Sequence, residues 1–402
     1  MSREQHVGIG IAGAGFLAET RARCYRAAAG VRAEIVAVAA RTRASAEDYA
    51  ARHGVATATD DYRELLADPR VTVVDLCVPN HLHRPMAEAA ARASKHVVCT
   101  KPMAAYVGQD LAADAPDEEL AGRDRRVMLE VAEGDARAMV EAARAAGVQL
   151  YYGENWVYAP SVVRARGLLE AAGGRILEMR GWECHSGSHS PYAKLWRATG
   201  GGALLRLGAH PLGAMIHLKA EEGRARLGRP IRPVAVSAEV ADLSRVAPAD
   251  GPPVHVATGW RDVGNWGCAI VQFEDGSRGV AYGSDNVLGG MESRLEVYAS
   301  NCHLKCNLSP GDLLRAYAPP QPGGEVFGEE YLMEKLEGRS GWSTPMPSED
   351  WSSGQLAMVQ EFAAAAAAGR PSASDGELGL WVTRVVYAAY AAAAEGRRVA
   401  LE

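Results

Sequence analysis

Over roughly the first 150 positions, short apolar runs that end on glycine or on a charged residue alternate with stretches whose alanines and leucines recur at helical spacing. "HVGIGIAGAG" (6–15) is an apolar run closing on glycines, and the "FLAETRARCYRAAAG" after it favours helix. "EIVAVAA" (34–40) stops before Arg41, and the helical "ASAEDYAARHG" closes on Gly54. "VTVVDLCVP" (71–79) and "HVVCTKP" (96–102) repeat the buried-strand pattern. Strands and helices in this order predict an α/β N-terminal domain, residues 1–153, with a doubly wound parallel sheet of the Rossmann type. Within it the pattern loosens over 103–134 into a polar, acidic stretch, expected to be a mobile surface insertion or flap.

After "VQLYYGENWVYAP" (148–160) the texture changes. "RILEMRGWECHSG", "PVAVSAEVADL", "CAIVQFEDGSRGVAYGS" and "SRLEVYASNCHLKCNL" alternate in the manner of strands joined by turns such as "DGS". Residues 154–402 are therefore expected to form an α+β domain with an open-faced, mainly antiparallel sheet. Its tail, "GQLAMVQEFAAAAAAG" and "LGLWVTRVVYAAYAAAAEG", is helical and placed to pack back on the first domain.

A chain of 402 residues with 48% hydrophobic and 23% charged residues has the composition of a folded globular protein. Its formal charge of −6, with no long basic run, argues against nucleic-acid or polybasic membrane contacts and toward small-molecule partners. The N-terminus lacks the zones of a signal peptide and no segment is apolar for the length of a membrane helix, so a cytoplasmic location is expected. Seven scattered cysteines suit a reduced compartment. The spacing in "CHLKC" (302–306) matches no familiar zinc pattern.

"GAGFLA" fits the G-x-G-x-x-G/A fingerprint through Gly13, Gly15 and Ala18, directly after a strand and opening a helix. There the first glycine allows a tight turn, the second lets backbone approach a pyrophosphate, and Phe16 and Leu17 start a helix with free N–H groups. An acid that would hold a ribose 2′-hydroxyl is missing after the second strand, where Ala40 is followed by Arg41, Thr42 and Arg43. The arginines favour the 2′-phosphate of NADP, against two solvated arginines with NAD bound.

"VDLCVPNHLHRPMAEAA", "KHVVCTKP", "GGGALLRLGAH" and "AAYAAAAEGRRVAL" together resemble the glucose–fructose oxidoreductase/inositol dehydrogenase/MocA (Gfo/Idh/MocA) family through almost the whole chain. The resemblance implies nicotinamide-dependent oxidation or reduction of a carbinol in a sugar, cyclitol or sugar derivative, a pocket between two domains, and a homodimer or homotetramer. It also implies a metal-free mechanism, and no metal is expected even at His185 and His189 beside Cys184. Some relatives are redox-neutral glycosidases, lyases or epimerases that oxidise transiently, and a non-catalytic sensor is a third reading.

The resemblance places the family's lysine on Lys101, at the carboxyl end of a parallel strand, where it can bond the reacting hydroxyl. Thr100 stands where the family usually has glutamate. Pro79 and Asn80 are expected to line the cofactor cleft with His83, which otherwise packs under that loop. "GENWVYAP" puts Glu154, Asn155 and Tyr158 near the pocket, with Asn155 on the nicotinamide side. Tyr158 either bonds substrate or is a buried tyrosine satisfied by backbone. His185, His189, Tyr192 and Trp196, with Lys194, form a loop suited to a polyhydroxylated ligand.

The resemblance puts the catalytic histidine on His210, but the usual aspartate four residues earlier is Arg206. An adjacent guanidinium would disfavour the imidazolium. Two readings of Arg206 stand: it pairs with a carboxylate such as Glu183 or Glu154 and braces the wall, or it faces an acidic sugar.

Overall fold

The computed structural model describes residues 6–188, 190–246, 253–320, 326–327 and 340–401. The first half begins with β1 (His6–Ala12), α1 (Phe16–Ala27), β2 (Arg32–Ala39), α2 (Arg43–His53), β3 (Thr57–Thr59), α3 (Tyr62–Ala67), β4 (Val73–Leu76), α4 (His83–Arg92) and β5 (His96–Thr100). With β6 (Leu150–Gly153), the strands make one parallel sheet in the order β3-β2-β1-β4-β5-β6. The order reverses between β1 and β4, which opens a crevice at their carboxyl ends. Local chemistry fixes the helix ends. Thr42 caps α2 by accepting from the Ser45 N–H, and Gly54 closes it in the left-handed conformation.

The stretch expected to be an insertion or flap makes contacts with the rest of the fold. Met103–Tyr106 is buried, the Tyr106 N–H donates to the Tyr387 hydroxyl at 2.6 Å, and α5 (Asp117–Ala121) is gripped by Arg197 at 2.7 Å from Asp117. α6 (Arg125–Ala146) starts inside the region assigned to the insertion. Its buried stripe, Met128, Ala132, Ala136, Met139 and Ala143, already carries the helical period there.

The second half runs through α7 (Pro160–Ala172), β7 (Ile176–Cys184), α8 (Trp196–Thr199), α9 (Ala203–Arg206), α10 (Ala209–Leu227), β8 (Pro233–Ala241), β9 (Trp266–Phe273), β10 (Arg278–Ser284), β11 (Glu292–Ala299) and β12 (His303–Asn307). A small ribbon of β13 (Ala316–Ala318) and β14 (Gly341–Ser343) precedes α11 (Glu349–Ser352), α12 (Gln355–Ala367), α13 (Gly376–Glu395) and β15 (Val399–Ala400). The large sheet has the order β12-β11-β7-β10-β9-β8-β15 and is antiparallel except at β7–β10, which pair in parallel. "CHLKC" contributes its last four residues to the edge strand β12. α10 lies close on this sheet because Gly181 of β7 has no side chain: a Cβ there would sit 2.7 Å from Pro211.

The tail returns to the first sheet. α12 packs on α1 and α13 on α6. The Tyr152 N–H donates to the Ser374 carbonyl at 2.9 Å, and Arg21 reaches Gln355 at 2.8 Å. Among the described residues no helix is long and apolar enough to cross a membrane.

Candidate active site

The turn after β1 is built for close approach. Gly13 has φ of 102°, and a Cβ on it would lie 2.2 Å from the Cys77 carbonyl oxygen, so β4 and this turn can meet only with glycine. Gly15 precedes α1 in an extended conformation with no side-chain cap, and nothing lies within 4 Å of where its Cβ would be. Open backbone at an uncapped helix start is what a pyrophosphate requires, so these residues fit a dinucleotide. Ala18 is fully buried and its carbonyl accepts from the Tyr49 hydroxyl at 2.9 Å, so it brings helix and sheet together and does not itself face a ligand.

Around this turn, Phe16 is exposed, as is Arg41 beyond β2. Thr42 is occupied as a helix cap, and Arg43 pairs with Glu47 at 3.0 Å along its own helix. Pro79 is exposed, and the Asn80 amide donates to the Thr199 carbonyl at 2.8 Å, linking the cleft loop to the second half. His83 is fully buried, with Nδ1 3.0 Å from the Pro102 carbonyl and Nε2 3.0 Å from that of Val78. Burial lowers its pKa. The expected cofactor contact from His83 is therefore replaced by a bracing role, in which it joins the loop after β4 to the segment carrying Lys101.

A cavity of about 570 Å³ opens where the halves meet, lined among others by Leu17, Asn155, Trp156, Glu183, Ser293 and His210. Asn155 donates to the Ser353 carbonyl at 2.7 Å. Thr100 is half-buried at the end of β5, and the Lys101 ammonium reaches across to donate to the Arg206 carbonyl. His210, at the head of α10, has Nδ1 2.8 Å from Glu154 Oε1, and its ring stacks on Trp156 with centroids 5.9 Å apart.

Arg206 does not modulate His210 as expected. Its guanidinium is paired with the buried Asp285 and lies over the Trp260 ring, so its ionic partner within the fold is a carboxylate and not the imidazole. The reason is local: α9 ends at Arg206 and α10 starts at Ala209, so the four-residue spacing is not one helix face. Pairing with a carboxylate is the reading that fits, although the acid is Asp285 and not Glu183 or Glu154.

Other expected substrate contacts are also redirected. The Tyr158 hydroxyl accepts from the Ser374 N–H at 2.9 Å, deep against Phe362. Trp196 is buried and donates to the Tyr106 carbonyl at 3.1 Å. Tyr192 is exposed outside the cavity lining. His185 is buried, accepts from the Gly187 N–H at 3.0 Å and lies 3.6 Å from Asp285, behind the wall. His189 lies outside the described residues.

Sequence reasoning missed the cavity residues contributed by the segment Met346–Gln355, whose composition gives no sign of the site. It named Glu183 only as a partner for an arginine, and placed Glu154 near the pocket without a role toward His210.

Residues 7–119 match the family described as "Oxidoreductase family, NAD-binding Rossmann fold", and residues 162–305 match "GFO/IDH/MocA C-terminal domain". The chain belongs to the Gfo/Idh/MocA family. This family member is a nicotinamide-dependent oxidoreductase, as its named dehydrogenase and reductase relatives are. A levoglucosan dehydrogenase of Pseudarthrobacter phenanthrenivorans is 27% identical over 395 residues, covering 92% of this chain and 93% of that protein. A 1,5-anhydro-D-fructose reductase of Ensifer adhaerens is 30% identical over 182 residues, 44% of this chain and 46% of its own. Among solved structures, GenD2 from gentamicin A biosynthesis, in complex with NAD, has a TM-score of 0.76 at 25% identity and covers 100% of this chain and 98% of that one. A levoglucosan dehydrogenase complexed with NADH shares the fold, with a TM-score of 0.71 at 22% identity, covering 99% of this chain and 100% of that one.

Proposed function

We propose that this protein is a dehydrogenase or reductase of a carbinol on a sugar or sugar-like ring. The observations that support this reading are that His210 lines the cavity and that the Lys101 ammonium reaches across to the Arg206 carbonyl at the end of α9, just before the helix that His210 heads. The relatives named for levoglucosan and 1,5-anhydro-D-fructose support the substrate class. The bound nicotinamide supplies the hydride acceptor or donor. The chain's part is the proton. With Nδ1 hydrogen-bonded to Glu154, His210 keeps Nε2 for the substrate hydroxyl, taking its proton as the carbon–oxygen double bond forms. Lys101 donates a hydrogen bond to the same oxygen and stabilises the charge developing there.

NADP is proposed as the preferred cofactor, since no acid follows β2 to repel a 2′-phosphate and Arg41 is exposed beside its expected position. The exposure of Ile270 and Tyr282 on the large sheet supports assembly into a homo-oligomer through that face. Incubation with each nicotinamide and a panel of anhydrosugars, polyols and glycosides, followed by nicotinamide absorbance and product mass, tests the reading. Carbinol oxidation with matching cofactor reduction supports it. Product formed without net cofactor turnover would overturn it in favour of redox-neutral chemistry.

A further inference from the structure

We propose that Glu154 is the positioning residue for His210: it fixes which imidazole nitrogen carries the proton and which faces the substrate, and the site makes room for it through Gly213. The inference rests on the reading of His210 as proton acceptor given above.

Four observations converge on this carboxylate. Glu154 is fully buried, and its Oε1 accepts both from His210 Nδ1 at 2.8 Å and from the Trp156 N–H at 3.2 Å. The second of these contacts locks the carboxylate to its own turn, so it cannot follow the imidazole if the ring moves. Its Oε2 is buried with no hydrogen-bond partner among the described residues. A carboxylate retained for packing alone would be expected to satisfy both oxygens, and an orphaned one fits a group held for its charge. Trp156 then stacks on the His210 ring at an interplanar angle of 14°, which leaves the imidazole one plane to occupy. Finally, a Cβ on Gly213 would lie 2.8 Å from Glu154 Cγ and 3.2 Å from Oε2. Gly213 is three residues after His210 in α10, on the same helix face. The helix thus presents the histidine and the gap for its partner together.

The chemistry follows from the tautomer. A carboxylate only accepts, so the Nδ1 facing it carries the proton and Nε2 is left with its lone pair. When Nε2 takes a proton, the imidazolium finds its counter-charge in place and no group needs to move. The pair joins the two halves of the molecule, since Glu154 directly follows β6 of the first sheet and His210 heads α10 on the second.

The test uses the full-length protein with NADP or NAD and the best carbinol of the panel. Glu154→Gln keeps the shape and removes the charge. Its kcat is expected to fall at least ~30-fold, less than loss of the general base itself would cost, with KM within about twofold, and the acid limb of kcat/KM against pH to move to lower pH. Cofactor binding and thermal midpoint confirm that the variant folds. Gly213→Ala is expected to lower kcat in the wild-type background and to add no further loss in Glu154→Ala, because the crowding it causes has lost its target. A Glu154→Gln enzyme with unchanged kcat and pH profile, or a Gly213→Ala loss that persists in full without Glu154, would overturn the proposal. His210→Ala separates the two levels: if it too leaves kcat unchanged, the assignment of His210 fails first, and if it abolishes turnover while Glu154→Gln does not, only the role of Glu154 fails.

Discussion

Arg206 and Asp285 form an ion pair inside the second half of the molecule, the carboxylate fully buried and the guanidinium laid over Trp260. The backbone of the same arginine accepts from Lys101, so a residue with no part in the proposed chemistry holds one that is proposed to stabilise the reacting oxygen.

Removing one partner of such a pair leaves a buried charge uncompensated. Arg206→Ala is expected to destabilise the fold by about 3–5 kcal/mol, measured by chemical denaturation, and Arg206→Met with Asp285→Leu to recover much of that. Substrates with and without an anionic group should respond alike in KM. A selective loss of anionic substrates would return the guanidinium to the pocket.

Lys101→Ala should bind cofactor nearly as well as wild type, since the glycine turn lies elsewhere, and lose at least ~100-fold in turnover. Isothermal titration and steady-state rates check the two halves of this statement.

Replacing Arg41 and Arg43 with alanine should weaken NADP binding while sparing NAD, because charge-assisted bonds serve only the extra phosphate. Breaking the exposed Arg43–Glu47 pair costs little. Equal losses for both cofactors would remove the preference.

Gly13→Ala combines a φ of 102° with a Cβ 2.2 Å from the Cys77 carbonyl. A strain of roughly 1–3 kcal/mol, concentrated at the turn, should lower the thermal midpoint and weaken both nicotinamides together.

Acid should destabilise the protein through His217. Burial pushes its imidazole down from 6.5 to about 4, against the opposing influence of Glu221 and the added effect of Arg166 and Arg224. Between those values the unfolded chain binds a proton that the folded chain refuses. Stability is therefore retained above about pH 6.5 and falls as pH drops toward 4, by about 3 kcal/mol in all. Unfolding midpoints across this range, with His217→Asn as the flattened control, measure it.

The fold was legible where a local rule has one structural meaning. Gly13 and Gly15 after an apolar run, and alternation ended by "DGS", each specify backbone geometry without knowledge of distant residues. The parallel pairing of β7 with β10 was not legible, because no residue in either strand records which neighbour it will meet across about a hundred positions. At the site, the place of His210 in the cavity lining was readable through its motif. For Tyr158 the alternative of a buried tyrosine satisfied by backbone is the one that fits, through the Ser374 N–H, whereas Trp196 misled because an aromatic ring with a polar tip suits a sugar and a buried backbone group equally, and here the Tyr106 carbonyl supplies the latter. The Arg206–His210 spacing misled because the helix breaks at Leu207 and Gly208, a break that glycine permits but does not announce.

The return of α12 and α13 to the first sheet has a consequence for how the chain is made. A ribosome releases β1 to β6 long before Gln355 can meet Arg21 or Ser374 can meet Tyr152. Until then, the apolar flank of α6 that α13 covers is exposed, so the nucleotide-binding half, although synthesised first, is completed last. Truncation before α12 should therefore yield an aggregation-prone fragment and not a free-standing Rossmann domain.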